Sequence, residues 1–197
     1  MKKLFALVAM VIAAGTMQAQ MAIGEFSVTP RVGLTLASLT SQDNSKINVG
    51  IVAGAEAEYQ VMDFLGVSAG LMYSQQGVSY DVTGTNKLNL NYLNIPILAN
   101  FYVYKDLALK VGIQPGFLLT ATAKEEKGNV KTETDVKDKV EGFDLSIPMG
   151  VSYEFRNFVL DTRYNLGATK ILKGADARSS RNSVFMITLG YRFNLNI

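Results

Sequence analysis

Phe143-Asp144-Leu145-Ser146-Ile147-Pro148-Met149-Gly150-Val151-Ser152-Tyr153-Glu154-Phe155 is the stretch on which the fold turns. Its odd-numbered members, Phe143 through Leu145, Ile147, Met149, Val151 and Tyr153 to Phe155, are all apolar or aromatic. Its even-numbered members, Asp144, Ser146, Pro148, Gly150, Ser152 and Glu154, are small or polar. A period of two sustained this long describes a strand with one apolar face, because a helical period of 3.6 would mix the two sets. The last stretch repeats the pattern, with Phe185, Ile187, Leu189, Tyr191 and Phe193 set against Met186, Thr188, Gly190 and Arg192.

Reading outward from these segments gives eight strands, near 25–38, 46–60, 64–77, 88–104, 107–123, 142–155, 158–170 and 183–196. Three connections are tight turns, Gln60-Val61-Met62-Asp63, Lys105-Asp106 and Arg156-Asn157. The other four, around 39–45, 78–87, 124–141 and 171–182, are longer and polar. Short and long connections alternate, so antiparallel neighbours gather every short turn at one end and every long loop at the other. Membrane barrels have this layout. The expectation is an all-β, eight-stranded antiparallel up-and-down transmembrane β-barrel. All four prolines, Pro30, Pro96, Pro115 and Pro148, fall inside these strands. Bulges or kinks are expected there, since proline has no N–H for the ladder.

Alternation alone does not say whether the apolar face points inward, as in a soluble lipocalin-like barrel that binds apolar ligands, or outward into lipid. Three features turn it outward. The polar face is rich in glycine (Gly33, Gly54, Gly112, Gly150 and Gly190 among them), which suits a narrow eight-stranded lumen that side chains fill. The same face carries Arg31, Lys110, Arg163 and Arg192 against Glu56, Glu58, Glu154 and Asp161, the charge balance an enclosed space requires. Aromatic residues gather near the short turns: Phe26, Tyr59, Phe64, Tyr102, Tyr104, Phe155, Phe158, Tyr191 and Phe193. Amphipathic rings favour a membrane interface, so these are expected to form a girdle.

The amino end reads separately. Lys2 and Lys3 precede the apolar run Leu4 to Ala14 and a small-to-polar exit at Gly15 to Ala19, the pattern of a cleaved secretory signal peptide. Residues 1–20 are assigned to that signal and 21–197 to the barrel, with cleavage after Ala19 or Gln20. The formal +2 then belongs to Lys2 and Lys3, and the mature chain carries as many acids as bases. Nucleic acid is not expected as a partner. Export through a Sec-type signal to a Gram-negative outer membrane follows, with lipid and the barrel-assembly machinery as partners and the monomer as the working state.

Asn91-Tyr92-Leu93-Asn94-Ile95-Pro96-Ile97-Leu98 resembles the YLxIP strand of PorT-like outer-membrane β-barrel proteins. Gly112-Ile113-Gln114-Pro115-Gly116, Phe143-Asp144, Arg163-Tyr164-Asn165-Leu166-Gly167 and Leu189-Gly190-Tyr191-Arg192-Phe193 follow in that family's order. The resemblance implies an outer-membrane barrel with a proline in its fourth strand. It also brings in an accessory role in protein secretion, the role to which the family's namesake is tied, as an alternative function.

Catalysis is not expected. The chain has no histidine, the commonest general base, no cysteine and no G-x-S-x-G elbow. Glu56 and Glu58 stand two apart on one face and form the only candidate carboxylate pair; they read better as lumen acids answering Arg31, Arg163 or Arg192. No cofactor and no metal site is expected. Residues 124–141, with five lysines and six acids, read as a solvated loop and as the candidate contact for a secretion or surface partner. The last loop, with Lys173, Arg178 and Arg181, is a candidate contact for an anionic sugar-lipid. The function expected is that of a small integral outer-membrane barrel with a structural or surface-interaction role.

Overall fold

The computed structural model describes residues 22–39, 45–81, 85–127, 130–171 and 181–195. The expected signal segment, Lys173 and Arg178 lie outside them. The strands in chain order are β1 (Phe26–Leu39), β2 (Ser45–Met62), β3 (Leu65–Asp81), β4 (Thr85–Asn94), β5 (Ile97–Tyr104), β6 (Leu107–Lys127), β7 (Val130–Asp135), β8 (Phe143–Phe155), β9 (Phe158–Gly167), β10 (Asn182–Tyr191) and β11 (Phe193–Leu195). β4 with β5, and β10 with β11, are each one wall strand with an interruption, and β7 lies outside the ring. Eight antiparallel staves remain. They close on themselves, because β1 pairs with β2 on one side and with β10 and β11 on the other.

The interruptions have a common cause. Pairing along β1 passes from Val28↔Phe193 to Arg31↔Gly190, skipping Pro30. The fourth stave skips Ile95 and Pro96 opposite Gln114 and Pro115 of β6. Between β6 and β8 the ladder passes from Val111↔Met149 to Gln114↔Ser146, skipping Pro148. The register is conserved across each skip, so the prolines make gaps in the ladder rather than the inserted residue of a bulge, where bulges or kinks were expected. A missing N–H deletes a rung without inserting a residue. True register shifts lie elsewhere, between Ile47 and Val52 and between Tyr102 and Tyr104 among other places. The two resembling motifs meet at one of the gaps: the Ile95 N–H donates to the Pro115 carbonyl (2.8 Å), and the Gly70 N–H to that of Pro96 (2.9 Å).

The apolar face points outward. Val32 is 62% and Leu34 53% exposed, whereas Arg31 and Thr35 beside them are buried. A soluble lipocalin-like barrel would have the opposite arrangement. Glycines let the bent wall close tightly: a Cβ on Gly33 would run into the Ile187 carbonyl, and one on Gly112 into that of Ile97. Small residues are therefore needed for strand coiling as much as for lumen volume.

The interior is not uniformly polar. Toward the long loops, Val78, Leu90, Tyr92, Leu118, Ala121, Val140 and Ile171 form a buried apolar cluster. A second contains Ala37, Val52, Met72, Val184 and Met186. Residues 124–141 also depart from a solvated loop. β6 runs on to Lys127 and β7 returns along it, from Lys127↔Val130 to Thr122↔Asp135. The chain then turns through a short 3₁₀ helix, Lys137–Lys139, and brings Val140 into the mouth of the barrel. β3 and β4 likewise pair up to Asp81↔Thr85, where a loop 78–87 was expected. Polar sequence marks where the wall leaves lipid, while backbone pairing continues into water. The result is a raised fin of β2, β3, β4, β6 and β7 on one side of the barrel.

Candidate functional site

Strand parity sends Arg31 of β1, Glu56 and Glu58 of β2, Lys110 of β6, Glu154 of β8, and Asp161 and Arg163 of β9 into the lumen, with Arg192 from the β10–β11 gap. All eight are buried. They sort into two clusters. In the first, Glu56 accepts from Arg163 Nη2 at 2.7 Å and meets Lys110 Nζ at 3.2 Å and Arg31 Nη2 at 3.4 Å. Asp161 meets the same three cations, Arg163 Nε at 2.7 Å, Lys110 Nζ at 3.0 Å and Arg31 Nη1 at 3.0 Å. The Ser68 hydroxyl adds a donor to Glu56 at 3.3 Å.

In the second cluster, nearer the short turns, Arg192 lies between Glu58 (3.2 Å) and Glu154 (3.2 Å). The Tyr102 hydroxyl donates to Glu58 and accepts from Arg192 Nη2 at 3.2 Å. Tyr102 thus leaves the girdle in which it was expected. On β5 the inward set is Leu98, Asn100 and Tyr102, and Phe101 is the outward ring at that level. The signal was present in the sequence, since Phe101 and Val103 share the parity of Ile97. Glu56 and Glu58, two apart on β2, each meet a different cation set. The remaining girdle residues lie on the outer face, with Phe26 half-buried. Phe158, Tyr191 and Phe193 form a run of ring contacts with centroids 5.2 and 4.8 Å apart.

The first cluster holds three cations and two anions, the second one cation and two anions, so together they are neutral. Taking an ion from water into such a space costs several kcal/mol unless it is paired. The pairs also run across the bore. Arg163 and Glu56 stand on staves three apart around the ring, with neighbouring staves about 4.8 Å apart along the wall. Only a narrow lumen lets them touch. A third polar group, not anticipated from sequence, lies toward the loop end: Asp144 accepts from Thr169 Oγ1 at 2.7 Å and Asn182 Nδ2 at 2.8 Å.

A closed eight-stave barrel with an exposed apolar band and an ion-paired interior defines the class of small outer-membrane β-barrels. Residues 18–173 match the family model described as outer membrane protein beta-barrel domain, and the chain belongs to that family. The fold is similar to that of the crystal structure of Ail, the attachment invasion locus protein of Yersinia pestis, at 18% identity and a TM-score of 0.51, covering 87% of this chain and 100% of that one. It is also similar to Neisserial surface protein A, at 15% identity and a TM-score of 0.53, covering 85% and 97%. No curated protein matches the sequence.

Proposed function

We propose that this protein is a non-enzymatic, monomeric outer-membrane barrel whose closed bore makes it a scaffold for surface display. The observation that carries this reading is the pair of ion clusters bridging the lumen from wall to wall, capped toward the loops by the apolar cluster around Tyr92. Among the described residues the bore is filled by paired charges and then by apolar side chains, which does not suit solute passage, and each clustered carboxylate is already held by a cation. The chain contains no histidine. What remains free to act is the outer rim, above all the fin that ends in β7. Residues 1–20 serve as the Sec-type signal on this reading, and the outward Tyr191 and Phe193 of the last stave support insertion by the barrel-assembly machinery.

The PorT-like motifs carry no separate secretion site. Tyr92 is a lumen side chain, and Ile95-Pro96 and Gln114-Pro115 face one another in the wall, so they support the barrel and leave a secretion partner unspecified.

Two measurements test the proposal. Planar-bilayer recording is expected to give no stable large conductance steps, and regular steps would refute the closed bore. Because the chain has no cysteine, Glu133→Cys supplies a single thiol on the fin. A membrane-impermeant maleimide is expected to label it on intact cells, and labelling only after lysis would refute surface display.

A further inference from the structure

A concavity of about 250 Å³ opens on the outer face of the fin, just above the lipid-facing band. Its walls are Asn48 of β2, Gln75 of β3, Asn89 and Asn91 of β4 and Thr122 of β6. Asn89 and Asn91 lie on the outer face because Leu90 and Tyr92 between and beyond them are fully buried in the lumen. The hollow has a structural origin. Between Ile47 and Val52, β2 carries one more residue than β3 opposite it, and Gly50 lies in that bulge and lines the hollow. On β3, Gly77 takes φ +132, and a Cβ there would strike the Leu88 carbonyl. Asn48 Nδ2 approaches Asn89 Oδ1 (3.5 Å) on the far side of β3.

The chemistry of this lining is specific. Asparagine is disfavoured in strands, yet β4 (TNKLNLNYLN) carries four, two of them at outward positions in this hollow. Lys124 and Glu133 at the rim are paired with each other, so the hollow has no net charge to offer. Asn91 donates to Thr120 Oγ1 (2.7 Å), Gln75 Nε2 to the Tyr73 hydroxyl (3.4 Å) and Asn48 Nδ2 to the Gln76 carbonyl (3.4 Å), each bond engaging a side-chain amide that has two donors and two acceptor lone pairs. Adjacent neutral donors and acceptors complement vicinal hydroxyl groups. The cation in this lining, Lys124, is already paired with Glu133, and an apolar ligand would strand the amides.

We infer that this hollow is a binding site for a neutral sugar. The inference deepens the surface-interaction reading and rests on it. The sugar comes either from a free glycan or from the headgroup of an outer-leaflet glycolipid, since the apolar wall below the hollow would suit acyl chains.

The test uses the full chain in phosphatidylcholine nanodiscs, with side-chain amides observed by NMR. Free glucose, galactose, mannose, N-acetylglucosamine and N-acetylgalactosamine are titrated in one arm. In the other, the nanodiscs contain galactosyl diacylglycerol. Saturable shifts of the Asn48, Asn89 and Asn91 amides are expected in at least one arm. Shifts with free sugars assign a glycan, and shifts only with the glycolipid assign a headgroup. Asn89→Leu is expected to weaken binding by about tenfold, and Thr122→Val, which preserves shape, by a few-fold. Both should keep the heat-modifiable gel shift of a folded barrel. No shift in either arm from folded protein overturns the inference, as does undiminished binding by both variants. Failure of the underlying reading would appear separately, as loss of Glu133→Cys labelling on intact cells.

Discussion

Replacing Glu56 by glutamine tests the lumen at its most connected point. Glu56 meets three cations, at 2.7, 3.2 and 3.4 Å. Glutamine keeps the volume and one carbonyl acceptor but removes the charge, leaving three cations with Asp161 alone. Removing one partner of a buried pair costs about 3–5 kcal/mol. The retained acceptor places the expectation at the lower end, about 3 kcal/mol. Lys110→Met alone leaves two cations and two anions and is expected to cost less than about 1 kcal/mol. Combined, the changes restore the original excess of one cation, so the double variant should recover about 1–2 kcal/mol of the loss. With no tryptophan in the chain, urea unfolding in micelles is best followed by far-ultraviolet circular dichroism and by the heat-modifiable gel band. If Glu56→Gln costs under about 0.5 kcal/mol and the two changes simply add, water screens these charges and the closed-lumen argument fails.

Tyr102→Phe should cost about 1.5–3 kcal/mol, because its hydroxyl joins two charged groups, whereas Tyr104→Phe at the outer surface should cost almost nothing. Equal effects in the same unfolding assay would return Tyr102 to the girdle. Ile187→Arg, within the lipid-facing band, should destabilise by about 2–4 kcal/mol, and Gln75→Arg on the fin by well under half of that; a reversed order would misplace the membrane boundary. Arg156 opens the tight turn before β9 with φ 58. Arg156→Gly should therefore stabilise by about 0.5–1 kcal/mol, after allowing for the lost contact of its guanidinium with the Phe155 ring. A lowered unfolding midpoint would show that the ring contact outweighs the strain.

Strand number, the asymmetry of the connections and the inward or outward sense of almost every side chain were legible from the period of two. Phe143 to Phe155 illustrates this, its odd members outward and its even members inward along the whole of β8. Errors arose where aromatic character was put before parity or where polarity was taken for the end of a strand. Tyr102 keeps the inward parity of Leu98 and Asn100, and its aromatic character near the short turn is what suggests the girdle instead. The segment 124–141 was read as loop because lysines and acids cannot face lipid, although nothing prevents them from pairing as strands in water. The apolar cluster around Tyr92, Val140 and Ile171 has no sequence signal as a unit, since its members come from three strands and two loops.

The sequence by itself determined that the chain makes amphipathic strands with charges of both signs on the concealed face, because side-chain alternation is a property of each strand alone. Only the tertiary structure decided which of those charges meet. Closure and the stagger between staves set the level at which each side chain enters the lumen. That stagger carries Glu56 to Arg163 and Glu58 to Arg192, separating two acids that are neighbours on β2. It also brings β4 level with the β2 bulge across β3, and so creates the amide-lined hollow.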